Sequence, residues 1–172
     1  MLFIYPPAEI EKVSSRLTAA WLFLSGQTRT FECLTEKTPE LLKHAEFTFY
    51  LPFTIQGSKR SGGIGVLIGR EDAIQVAQHM FGTSREEVTQ ADLLDACSEA
   101  CNVCAESIAT HFGPAHVVSV GVPQFANATE YEAAAQSSLA RAIYRGAVGD
   151  QVIYAVLYDS PKTESEPSSA PL

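Results

Sequence analysis

A chain of 172 residues with 46% hydrophobic and 19% charged residues can bury one core of ordinary domain size. A formal charge of −8 and a pI of about 4.9 argue against nucleic-acid binding, which usually shows as a basic face. No run approaches the roughly 18–20 apolar residues of a membrane span, and the opening MLFIYPPAE lacks the basic region of a signal peptide, so a cytoplasmic protein with reduced thiols is expected.

In chain order, Ile10, Val13, Leu17, Trp21 and Leu24 recur at spacings of three and four and predict an amphipathic helix over 8–25, ended near Gly26. TRTFECL (28–34) alternates and predicts a short strand, with a connector from Pro39. EFTFYLPFTIQ (46–56) and GGIGVLIG (62–69) flank GSKRS and predict a β-hairpin. Gly63, Gly65 and Gly69 superficially resemble a dinucleotide-binding loop, but two of the three fall inside the strand-like run, which favours strand and turn glycines.

REDAIQVAQHMF (70–81) predicts a short helix with an acidic first turn and Gly82 as its C-cap. A long helix is expected from about 86 to 112, opened by a capping box at Ser84 and Glu87 and stopped by His111, Phe112, Gly113 and Pro114. HVVSVGVP (116–123) predicts a strand, and SLARAIYRG (138–146) with QVIYAVLYD (151–159) a hairpin through AVGD. The Pro/Ser-rich segment 160–172 predicts a disordered polar tail after a single domain over 1–159. The order of elements predicts an α+β fold with an antiparallel sheet and helices packed largely on one face.

The long helix holds three of the four cysteines, as C-x3-C-x2-C; Cys33 lies far away. That spacing matches the iron–sulfur site of radical-SAM enzymes, but those sites sit on a loop, with an aromatic residue where Val103 stands, inside a much larger barrel. At about 100° per residue, Cys97, Cys101 and Cys104 share one stripe with Leu93, Leu94 and Ile108, which favours core packing, because free cysteine behaves as a small hydrophobe. Asp95, Glu99, Asn102 and Glu106 form a straight row on the opposite face, flanked by Asp92 and Ser98. A carboxylate row is usually a solvated face. Asn102 fits that reading poorly, since asparagine is a weak mid-helix former, and beside Glu99 it presents a carboxamide and a carboxylate together. His111 suits a helix end; His44, His79 and His116 share no spacing; Arg141 and Arg145 are expected to face solvent.

Glu99-Ala-Cys-Asn102 resembles the E-x-x-N signature of the CheX/CheC/FliY chemotaxis phosphatases, and the surrounding order of elements resembles CheX over roughly residues 50–158. The resemblance implies a CheX-like α+β fold. It also implies hydrolysis of the aspartyl phosphate of a CheY-like receiver domain, with Asn102 orienting the water and Glu99 pairing with the receiver's lysine. Asp95, Ser98 and Glu106 would touch that partner. No cofactor or metal of the chain's own is implied, because the Mg2+ belongs to the receiver, and a homodimer is expected. One departure stands out: a glycine usually follows the asparagine by four residues in this family, and here that position is Glu106. The departure favours an alternative, a non-catalytic binding module in two-component signalling.

Overall fold

The computed structural model describes residues 7–34, 41–43, 45–57, 61–109, 118–136 and 139–159. Residues 35–40 and 44 around the connector, residues 58–60 of the first hairpin loop, the stop signal at 111–114, the start of the strand at 116, the side chain of Arg141 and the tail 160–172 lie outside them.

Two long hairpins build the sheet. β2 (Phe47–Ile55) pairs with β3 (Ser61–Ile68), and β6 (Leu139–Val148) pairs with β7 (Gln151–Asp159). β3 and β7 pair antiparallel and join the hairpins at the centre. Short strands finish the edges: β1 (Phe31–Cys33) on β6, and β4 (Val118–Val120) with β5 (Gln124–Ala126) on β2. The order is β1-β6-β7-β3-β2-β4, with β5 also on β2, and every pairing is antiparallel.

Strand alternation divides the side chains between two faces. Phe47, Phe49, Leu51 and Phe53 of β2, with Ile64, Val66 and Ile68 of β3, enter the larger core. Three helices cover that face: α1 (Pro7–Ser25), α2 (Arg70–Phe81) and α3 (Gln90–Ala109). Val13, Leu17, Trp21 and Leu24 are the buried apolar positions of α1, as its periodicity predicts. α2 spans the predicted residues and ends at Gly82, whose φ of 65° is the left-handed cap that glycine adopts most readily.

The opposite face carries a smaller cluster of Leu67, Ile143, Val156, Tyr154, Tyr158 and Tyr131. Tyr131 comes from α4 (Ala128–Gln136), a helix the sequence reading missed. Its hydroxyl meets that of Tyr158 at 2.6 Å inside the cluster. The β3 glycines serve this contact: a Cβ at Gly65 would overlap the Tyr131 hydroxyl, and one at Gly63 the Tyr50 ring. They are strand glycines that admit aromatic rings.

Three boundaries differ from expectation. The strand expected over 28–34 is confined to 31–33: the alternation continues back through exposed Thr30 and buried Arg29, but only Phe31, Glu32 and Cys33 pair with β6. Of the strand expected over 116–123, the described residues form β4 at 118–120 and leave it at Gly121–Pro123, and β5 at 124–126 was not expected. The box at Ser84 and Glu87 opens a 3-10 turn (Arg85–Glu87), not the long helix, which starts at Gln90.

Candidate functional site

The described α3 is held at its start by a reciprocal cap. The Thr89 amide and hydroxyl donate to the Asp92 carboxylate at 2.8 and 2.7 Å, and the Asp92 amide donates to the Thr89 hydroxyl at 3.2 Å. These bonds favour the ionised form and hold the Asp92 carboxyl below its usual range. A threonine followed three residues on by an acid is legible in the sequence, but the stronger-looking box five residues earlier hides it.

The inner face of α3 is small and apolar. Ala96, Cys97, Ala100, Cys101, Cys104, Ala105 and Ile108 are all at most 1% exposed. The three thiols belong to the hydrophobic core, together with residues of α1, α2 and the sheet. Burial pushes the Cys97 and Cys104 thiols up to about 12 and raises that of Cys101 as well. A metal-binding or redox thiol needs the reverse, a thiolate near neutral pH. Among the described residues, no group of three or more His, Cys, Asp or Glu side chains could hold a metal ion.

The outer face carries the polar row. Asp95, Glu99 and Glu106 are exposed, and Ser98, Asn102 and Val103 are half-buried. Asn102 Nδ2 donates to Glu99 Oε2 at 3.5 Å, a long and weak bond. The pair is therefore adjacent without being locked. Asn102 keeps its carbonyl oxygen and a second N–H, and Glu99 keeps most of its acceptor capacity. Both side chains stand on a helix packed against α1, α2 and the sheet, a rigid platform for two groups that must act together.

The other candidates lie elsewhere. His79 is exposed at the end of α2, and His44, His111 and His116 lie outside the described residues. Arg145 is paired with Glu32 at 3.2 Å across β1 and β6. The sequence reading missed a buried ion pair behind the helices. Arg29 donates to both oxygens of Asp72 at 2.9 and 2.6 Å, reaches Gln151 at 3.3 Å and lies 5.2 Å from the centre of the Trp21 ring. The partners are 43 residues apart, so no local pattern announces them.

The family model described as chemotaxis phosphatase CheX matches residues 38–145. No curated protein matches the chain. Solved structures share the fold at low identity. A CheC-like superfamily protein from Shewanella sp. PV-4 is 10% identical, with a TM-score of 0.62 over 91% of this chain and 100% of its own. A chain of the CheX–CheY–BeF3–Mg complex from Borrelia burgdorferi is 12% identical, with a TM-score of 0.63 over 89% and 98%. A chain of the FliM–SpeE complex from H. pylori is 9% identical, with a TM-score of 0.58 over 91% and 90%. With an antiparallel sheet of seven strands among the described residues and a family match spanning more than half its length, the chain belongs to the chemotaxis phosphatase CheX family.

Proposed function

We propose that this protein hydrolyses the aspartyl phosphate of a CheY-like receiver domain through the outer face of α3. The carrying observation is the Glu99/Asn102 pair, accessible and weakly bonded on a well-anchored helix. Membership of the CheX family supports it, as does the shared fold with a chain of a CheX–CheY complex.

Asn102 enters the receiver's phosphorylation site. Its carboxamide accepts a hydrogen bond from a water and holds it in line with phosphorus. The water oxygen bonds to phosphorus, the bond from phosphorus to the aspartate oxygen breaks, and the carboxylate leaves. The water's proton goes to the phosphate product or to solvent. Glu99 pairs with the receiver's lysine and fixes the depth and angle of docking. The receiver's Mg2+ neutralises charge on the phosphoryl oxygens. This chain supplies no metal and acts by positioning; Asp95 and Ser98 complete the contact. The family resemblance adds a homodimer to this reading.

Receivers from the same genome, loaded with acetyl phosphate, test it through the rate of phosphate loss. Acceleration that disappears in Asn102→Ala is expected; no acceleration for any receiver, or full activity in Asn102→Ala, overturns it. A second reading, a binding module without catalysis, is favoured by one observation: the exposed Glu106 on the same face as Asn102. Receiver binding with an unchanged rate of phosphate loss would select that reading.

A further inference from the structure

The chain's excess negative charge is not spread evenly. Residues 86–140 contain eight of the twenty acidic residues and none of the twelve Lys/Arg, so the remainder is balanced and the formal −8 falls within this stretch. α3 lies inside it. Elsewhere, three exposed carboxylates have cations: Glu46 with Arg70, Glu71 with Arg85 and Glu32 with Arg145. Asp92 is engaged in the cap. Among the described residues, no Lys or Arg pairs with Asp95, Glu99 or Glu106.

Glu106 is distinct within this row. It stands one turn beyond Asn102, about 6 Å along the helix axis at 1.5 Å per residue, so a body in contact with Asn102 also meets Glu106. Asp95 is one turn from Glu99 and can share the cation that Glu99 binds. Glu106 has only the uncharged Asn102 at that spacing on the Glu99 side, so its match must be a different cation.

We propose that Glu106 is the specificity-determining residue of this face, and that it selects receivers carrying a lysine or arginine beside the phosphorylation site over receivers that are acidic there. This rests on the reading that the chain acts on a receiver and names which receivers it takes. Against a basic rim, Glu106 forms an ion pair that is partly shielded from water on docking. Against an acidic rim, it meets like charge, and such juxtaposition suppresses wrong partners.

The test measures kcat and KM for one receiver with a basic rim and for its charge-reversed variant, at low and high salt. The proteins are the native chain, Glu106→Gln, Glu106→Lys and, as a control on α4 across the sheet, Glu132→Gln. With the basic-rimmed receiver, Glu106→Gln is expected to raise KM about two- to fivefold, the scale of an exposed ion pair. Glu106→Lys is expected to reverse the preference between the two receivers, and high salt to narrow it. A preference unmoved by Glu106→Lys, or moved equally by Glu132→Gln, overturns the inference while leaving hydrolysis through Asn102 intact. Binding of the same receivers loaded with beryllofluoride separates the two claims. If nothing is hydrolysed but binding follows the rim charge and reverses in Glu106→Lys, catalysis falls and the selector stands. If no receiver binds, both fall.

Discussion

Asp72 and Glu99 are acidic residues on neighbouring helices, α2 and α3, and they sit in opposite circumstances. Asp72 is 1% exposed and matched at both oxygens by Arg29. Glu99 is exposed and meets only a long bond from Asn102. A charge buried without a partner costs several kcal/mol, whereas one left in water costs little and stays available. Inside, the Asp72 carboxylate is matched by a cation of the same chain, whereas the Glu99 carboxylate on the α3 face stays exposed.

The largest expected effect breaks the interior side of that contrast. Asp72→Ala leaves the Arg29 guanidinium buried and unpaired and should cost about 3–5 kcal/mol, read from the midpoint of urea unfolding. The double change Arg29→Met/Asp72→Leu removes both charges and should recover most of that loss. If the double variant is no better than the single, the pair is more than matched charge.

A second effect comes from groups kept neutral inside. Burial raises the Cys97 and Cys104 thiols from 9.0, and the Tyr158 hydroxyl from 10.0, to about 12. With folded values above unfolded ones, the native state holds these protons longer. Their contribution is complete below the unfolded values and is lost as pH rises from about 9 to 12. The urea midpoint should thus respond little to these groups up to about pH 9 and fall above it. At pH 8, Cys97, Cys101 and Cys104 should stay silent to a thiol reagent until the fold opens.

The smallest effects lie on the exposed face. Asp95→Asn and Glu106→Gln should change stability by less than about 0.5 kcal/mol. For Asp95→Asn the sign should be favourable, because it removes a like-charge neighbour of Glu99 one turn away. Clear destabilisation by either would mean that the row is structural.

Much of this architecture is legible along the chain. Periodicity places α1 and α2 almost to the residue, and the two hairpins follow from β-rich runs around polar turns. The angular separation of thiols from polar groups on α3 appears as the projection predicts, because both patterns are local to one helix. What escapes is set at long range or hidden by a competing signal. α4 has only Tyr131 as its described buried residue, too little for a periodic pattern. The Arg29–Asp72 pair depends on the folded arrangement of α1, α2 and β7. The true start of α3 is masked by the more conspicuous box before it.

The gap in Lys and Arg between Arg85 and Arg141 also has a practical side. Trypsin cuts after those residues, so a complete digest should release 86–141 as one peptide bearing Glu99, Asn102, Glu106 and the three core thiols. Cys33 leaves separately, between Arg29 and Lys37. One mass measurement can therefore tell a label on the half-buried edge cysteine from a label that had to wait for the core to open.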